Sequence, residues 1–448
     1  MRASANRREF LEVASASIGA ASLAATAAPA PAVAADGKPR MKLAALASVY
    51  YYLSHAYHIV GRFLDGFPVH DGRGLHRPDF DIASLFIEQV IPQTDLGRAK
   101  AAKHNVRLSE SIADALTLGT GKLAVDGVLL IAEHGDYPYN DKFQKLYPRG
   151  RYFREVLDVF KASGQSVPVF IDKHLSYNRK EAQGMYDQAK AMNVPLMAGS
   201  SLPVTWRLPE LEIPLGQPWK EAIVASRGDL EIFGFHALET LQCMVERRDR
   251  KGKPQGVAAV TCLEGDAVWE AGSQGVWSPT LLDEALSRSH TLNPGDMRQN
   301  TLDFMPPAGK DHITKFRKPI AFVVEYVDGF KATAMILNGH VDDTTFAGRL
   351  DKPSDDLVST LVYLPAPPGA NFFNPLVLRI EDFFKAKKPP YPVERTLLTG
   401  GILDVALESR IRGHQRLLTP DLATIDYEAP ADSGYIRTPV ANARANRT

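Results

Sequence analysis

"VPVFIDKHLSYNRKEAQGMYDQAKAMNVPLMAGSSL", residues 167–202, holds two short apolar runs, Val167 to Ile171 and Val194 to Ala198. Between them lies a helix-period segment in which Ala182, Met185, Tyr186, Ala189 and Met192 share one face. Apolar runs that do not alternate are strands buried on both sides, and a helix between two of them implies a parallel pair. The pattern extends upstream through Lys42 to Ala47, Ile82 to Ile87 and Val125 to Ala132, with a second helical face on Phe153, Val156, Leu157 and Phe160. Residues 41–200 therefore read as a Rossmann-like, doubly wound α/β domain with a parallel sheet.

Past Ser200 the chain turns to proline-punctuated loops and then to one strong helix whose apolar face carries Leu238, Leu241, Met244 and Val245. The longer, partly alternating strands "VAAVTCLEG", "IAFVVEYVDG" and "KATAMILNGH" follow. They predict a second, α+β domain over 201–413 with a mostly antiparallel open sheet. Its last helix, 393–413, carries Gly400 and Gly401, each costing about 1 kcal/mol against alanine. Residues 414–448 read as a surface-wrapping or frayed tail, and no internal repeat is present.

The 448 residues are 45% hydrophobic and 23% charged, enough for two sizeable cores. Lysine plus arginine equals aspartate plus glutamate at 52 each, so no net field draws the chain to nucleic acid or an anionic membrane. The composition points to a small, weakly charged ligand. At the start, "ANRREFLEVASASIGAASLAATAAPAPAVAADG" combines Arg7-Arg8, Phe10-Leu11, an alanine-rich run and a cleavage-like Ala32-Val33-Ala34. Residues 1–34 thus look like a twin-arginine export signal, which implies a periplasmic or other extracytoplasmic destination. No later run reaches the roughly 20 apolar residues of a membrane span. Cys243 and Cys262 permit one disulfide without establishing it.

Three segments, in order and approximate spacing, resemble the glucose-fructose oxidoreductase, inositol dehydrogenase and rhizopine-catabolism family, Gfo/Idh/MocA. "LAVDGVLLIAEHGDYPYN", 123–140, resembles that family's fourth strand and following loop. The opening stretch resembles its Glu-Lys-Pro motif, next helix and exit strand, and "IFGFHALETLQCMV", 232–245, its helix opening on a histidine three residues before an acid. The resemblance covers about 41 to 270 well and the remainder loosely. It implies NAD or NADP in the first domain, a second domain that forms the substrate pocket and often an oligomer interface, and oxidoreductase chemistry on a carbohydrate or cyclitol in a homo-oligomer.

Carried over residue by residue, the resemblance makes Lys173 and His236 the catalytic pair. Asp172 stands at the motif's acid, where it could tune the lysine. His174, Glu239 and Trp206 become candidate substrate contacts. His174 replaces the usual proline, and Ile232 stands where many members carry an aspartate four residues before the histidine. A lysine at the carboxyl end of a parallel strand faces the ligand crevice, and an imidazole can accept a hydroxyl proton. Trp269 and Trp277 could stack on a sugar face, although packing is the commoner fate of such residues.

"LAALASVYYYLSHAYHIVGRFL", 43–64, departs from the family. The three glycines of the dinucleotide loop fall by register at about Ser48, Tyr50 and Leu53, and a tyrosine at the second place puts a ring where pyrophosphate should lie. Glu88, the nearest acid after the second strand, comes about 40 residues beyond that turn rather than the usual ~20. Ser48, Tyr50, Glu88 and His134 are the candidate cofactor contacts, and the nicotinamide site is expected to be atypical or weakened. His55, His58, His134 and Asp136 gather at the same sheet edge, where a divalent metal could replace the nucleotide, although their spacing fixes no metal ligand set. The alternatives are a non-redox sugar lyase, hydratase or epimerase, with or without metal, and a non-catalytic carbohydrate-binding protein.

Overall fold

A computed structural model describes residues 39–69, 74–305, 318–352, 354 and 356–438. The chain divides into two units, Met1–Arg40 and Met41–Thr448, and the fold below is that of the second. The export signal lies outside the described residues.

Six strands, β1 (Met41–Ala47), β2 (Phe80–Ile87), β3 (Arg107–Ser109), β4 (Gly127–Ile131), β5 (Val169–Asp172) and β6 (Leu196–Gly199), form an all-parallel sheet in the order β3-β2-β1-β4-β5-β6. Every residue of β4, β5 and β6 is buried, which is why these strands are apolar without alternation. Strand β3 has no apolar run because it is an exposed edge. Successive side chains of β1 serve opposite faces: Leu43, Ala45 and Ala47 pack with helix α1 (His55–Asp65), while Ala44 and Leu46 pack with α3 (Ile112–Thr117) and α4 (Arg149–Ser163). Helix α2 (Gly97–Lys103) follows β2, and α5 (Arg179–Ala191) joins β5 to β6.

The second sheet has eight strands: β7 (Trp206–Leu208), β8 (Trp219–Ser226), β9 (Val257–Glu264), β10 (Ile320–Tyr326), β11 (Lys331–Ile336), β12 (Thr344–Leu350), β13 (Leu357–Tyr363) and β14 (Leu417–Leu418). Their order is β14-β9-β10-β11-β8-β12-β13-β7, antiparallel except for β8 beside β11. The sheet is open at its edges, yet both faces are covered. Helix α6 (Ile232–Val245) packs where Ala222 and Val224 of β8 point. On the other side, α7 (Asp266–Ser273) and α8 (Pro279–Leu286) bury Val268, Trp269, Leu281 and Leu282 against Ile223, Ala225 and Met335.

The stretch 201–413 does not stay with the second sheet. After α9 (Met297–Leu302) and the strands that follow it, α10 (Phe373–Ala386) returns to α1 and the first sheet, where Gly127 admits it: a Cβ there would lie 2.8 Å from the Phe384 ring. Helix α11 (Val393–Ile411) then packs between α5, α6 and β9. Its two glycines bring it close to neighbours, since a Cβ at Gly400 would sit 3.4 Å from His174 Cβ and one at Gly401 would meet Leu422. The tail is bound rather than frayed as far as residue 438: Arg247 donates to the carbonyls of Pro430 and Ala431, and Ile436 N–H to that of Val204.

Candidate active site

The turn after β1 is tied into the fold at the first two of its would-be glycine positions, while Leu53 at the third lines the crevice. Ser48 is fully buried, donates its N–H to the Ile131 carbonyl and its hydroxyl to that of Glu133 at 2.8 Å, and accepts from Gln89 N–H at 2.9 Å. Tyr50 is also buried, its ring turned away from the crevice into the core among α1 and α2. Two glycines make room for it. A Cβ on Gly97 would lie 2.9 Å from Tyr50 Cβ, and one on Gly61 3.5 Å from its hydroxyl. Leu53 takes the left-handed conformation, φ 67°, and the hydroxyl of Ser54 caps α1 by accepting from Tyr57 N–H.

A dinucleotide laid across such a sheet rests its pyrophosphate on this turn and its adenosine ribose at the end of β2. Both places are taken. The chain after β2 is stitched to the turn through Leu96 N–H on the Tyr50 carbonyl, 2.8 Å, and an antiparallel bridge of Tyr51 with Asp95. Glu88 follows β2 as a ribose-binding acid would, but its carboxylate is paired with Arg151.

The crevice stays open over β4, β5 and β6, where a cavity of about 730 Å³ is walled by both sheets' connecting loops. This is the size of a small-molecule site, and its lining mixes aromatic and apolar faces with many histidine, acidic and basic side chains. Tyr51, His55 and His134 come from the connections of the first sheet, Phe233 and His236 from α6, and Phe373 from α10. The ring of His58 stacks on Phe373 at 4.7 Å, and His134 meets His55 edge-on at 5.1 Å. Among the described residues no group of three or more His, Cys, Asp or Glu side chains is placed to hold a metal ion.

At the base of the cavity Lys173, just past β5 and at φ 65°, donates to Glu133 Oε1 at 2.7 Å. Glu133 also binds Arg149 of α4, and all three side chains are buried. Burial alone would raise the Glu133 carboxyl, but the charges of Lys173 and Arg149 outweigh it and hold the group well below the usual range. Asp172 does not reach the lysine: its Oδ2 binds His55 Nδ1 at 2.6 Å, while its buried Oδ1 has no partner among the described residues. Removing Glu133 would leave two buried cations unpaired, a change of about 3–5 kcal/mol.

His236 opens the first turns of α6 and lines the cavity with Ser200, whose hydroxyl is 3.0 Å from His236 Nδ1. Burial, then the charge of Lys173, pushes the imidazole well below its ordinary value, so it is neutral at pH 7. Burial lifts Glu239 to about 7, and burial with the charge of Glu231 lifts Asp229 to about 6.

Lys173, His236, Asp172 and His134 thus share one cavity. Ser48, Tyr50, Glu88, His174, Glu239 and Trp206 do not line it. His174 is bonded to Glu231 at 2.8 Å, Glu239 lies behind Ser200, and Trp206 donates its indole N–H to the Thr438 carbonyl. Trp269 and Trp277 pack on each other under the second sheet. Glu133, Arg149 and Ser200 escape sequence reasoning. Glu133 stood inside the fourth-strand segment, where an acid beside the strand end was the available signal.

Two stability tests follow from this placement. Tyr50→Phe removes a buried hydroxyl with no partner and should leave stability unchanged or raise it by about 1 kcal/mol, whereas Gly97→Ala should lower it by about 1–3 kcal/mol, both read from urea unfolding. The second concerns acid. Burial, with the charge of Arg62 on one ring and His55 on the other, holds His58 and His134 near 3, and His174 and His236 are also lowered. From pH 6.5 downward the unfolded chain gains protons these four rings refuse, a loss of up to about 1.4 kcal/mol per ring per pH unit. Asp229 and Glu239 act oppositely, because they take protons in the folded state first. Four rings outweigh two carboxyls, so Tm should fall between pH 7 and 5, and fall less in His58→Phe.

No protein-family model matches the chain, and no curated protein matches it. Among solved structures it is similar to GenD2 from gentamicin A biosynthesis, in complex with NAD: 13% identity, 85% of this chain and 96% of that one, TM-score 0.52. It is also similar to a myo-inositol dehydrogenase from Corynebacterium glutamicum, at 9% identity over 85% of this chain and 98% of that one, TM-score 0.49. A Gfo/Idh/MocA family oxidoreductase from Vibrio cholerae matches at 13% identity over 83% and 98%, TM-score 0.46. At these identities the likeness is one of fold. A Rossmann-like parallel sheet joined to a mostly antiparallel one is the architecture that the sequence resemblance implied. The chain shares the fold of GenD2, a Rossmann-like parallel sheet joined to a mostly antiparallel one.

Proposed function

We propose that the chain is an oxidoreductase-type enzyme acting on a carbohydrate or cyclitol in the 730 Å³ cavity, with a weakened nicotinamide site. The observation that carries this reading is that Lys173, past β5 of the first sheet, and His236, on α6 over the second, line one cavity of small-molecule size. One of the three ammonium donors of Lys173 is spent on Glu133, which fixes the group while its others serve a ligand hydroxyl. His236 is neutral, so it can accept that hydroxyl's proton, and Tyr51 and Phe233 offer apolar faces to a sugar ring.

A second reading is proton-transfer chemistry without redox, as in a lyase or epimerase on the same substrate class. It is favoured by the seal between the β1–α1 turn and residues 88–96. NAD binding in GenD2 belongs to that protein and supports a nicotinamide cofactor here only through shared fold. Export is also proposed, resting on Arg7-Arg8 and the Ala32-Val33-Ala34 triplet. Assembly into a homo-oligomer would use a surface other than the faces of the second sheet, since helices cover both.

Calorimetry with NAD and NADP on the processed chain should show dissociation constants weaker than about 100 μM, against −8.2 kcal/mol for ordinary micromolar binding. Micromolar affinity would contradict the weakened site. In a screen of sugars and cyclitols, turnover should fall about 10²–10⁴-fold in His236→Asn and Lys173→Met. Binding without turnover by the unaltered chain would make it a carbohydrate-binding protein instead.

A further inference from the structure

The catalytic histidine of this site has no carboxylate from its own first helical turn, because Ile232 stands four residues before it. Another route reaches it. His236 and Glu239 lie three residues apart, hence on one face of α6. Strand β6 ends at Gly199, and the next residue, Ser200, sits between the two side chains. Ser200 N–H donates to Glu239 Oε1 at 3.0 Å and Oε2 at 3.2 Å, its hydroxyl bonds Glu239 Oε2, and the same oxygen is 3.0 Å from His236 Nδ1. The approach depends on Gly199, φ 136°: a Cβ there would lie 2.7 Å from Glu239 Oε1. Glu239 is fully buried and outside the cavity lining, whereas Ser200 and His236 line it.

One serine hydroxyl carries one proton, so this chain has two arrangements. When Glu239 is ionised it can only accept; Ser200 donates to it, His236 Nδ1–H donates to Ser200, and Nε2 is left with its lone pair. When Glu239 is protonated it donates to Ser200, the hydroxyl turns to His236 Nδ1, and the ring proton sits on Nε2. The change adds one proton to the carboxyl and relocates the ring proton from Nδ1 to Nε2, without charging the imidazole.

We propose that Ser200 and Glu239 are positioning residues that set the tautomer of His236, making its Nε2 a proton acceptor in one state and a donor in the other. This rests on the reading of His236 as the site's acid–base group. The surroundings keep the switch on the carboxyl. Glu239 faces Arg395 of α11, whose guanidinium is held by Glu246, together with Asp172 and Tyr391, and burial raises it to about 7. His236 faces Lys173, His55, Glu133 and His174, and burial with the lysine charge keeps it unprotonated where Glu239 titrates.

The test is long-range ¹H–¹⁵N spectroscopy of the processed chain labelled at histidine ring nitrogens, from pH 5.5 to 9, with His236 assigned by the signal lost in His236→Asn. The unaltered chain should pass from Nδ1–H at high pH to Nε2–H at low pH with a midpoint near 7. Glu239→Gln, whose amide donates to Ser200 at every pH, should hold Nε2–H throughout, and Ser200→Ala should abolish the transition. A single His236 tautomer across the range in the unaltered chain overturns the proposal, as does a transition that persists in both variants. Where a substrate turns over, the limb of the kcat profile near pH 7 should vanish in Glu239→Gln with KM changed less than threefold. A tautomer switch with no turnover of any sugar or cyclitol would instead remove the functional reading while leaving the switch in place.

Discussion

The buried carboxylate of Glu133 holds the site together. Its side chain binds Lys173 beyond β5 and Arg149 at the start of α4, while its backbone carbonyl takes the hydroxyl of Ser48 beyond β1. The ends of three adjacent strands, β1, β4 and β5, and the start of α4 are thus tied to one residue. An ion triad of this kind is expensive to desolvate and costly to break, so it contributes more to geometry than to net stability. What it fixes is the position of one ammonium in a cavity that α6 completes with His236.

The same edge explains why the crevice is open on one side and shut on the other. With Tyr50 seated against Gly61 and Gly97 in the core, the β1–α1 turn no longer offers bare backbone, and residues 88–96 hydrogen-bond to it directly. The glycines have moved from the ligand's side of the turn to the core's side. The cavity opens where Tyr51, Leu53, His55 and His58 face the loops of the second sheet.

Most of the architecture was legible because buried parallel strands must be apolar on both faces and their covering helices apolar on one. The edge strand β3 escaped because exposure removes that requirement, and α7 and α8 escaped because each is a helix of only eight residues. The positions of Lys173 and His236 were legible for a similar reason: strand ends and helix starts are topological landmarks. Their partners were not. Asp172 adjoins Lys173 in sequence, yet neighbours at a strand end point to different sides, and it reaches His55 instead. Ser200 gave no signal, and Glu239, expected to touch substrate, meets His236 through Ser200 only once β6 and α6 are brought together.

Ligand is expected in the Lys173–His236 cavity, with the β1–α1 turn still bonded to residues 88–96. In a crystal structure of the processed chain soaked with NAD and a cyclitol such as myo-inositol, this arrangement shows as a polyol with a hydroxyl within hydrogen-bond reach of Lys173 Nζ and His236 Nε2, and Leu96 still bonded to Tyr50. A dinucleotide stretched over the turn, with residues 88–96 displaced, would contradict it.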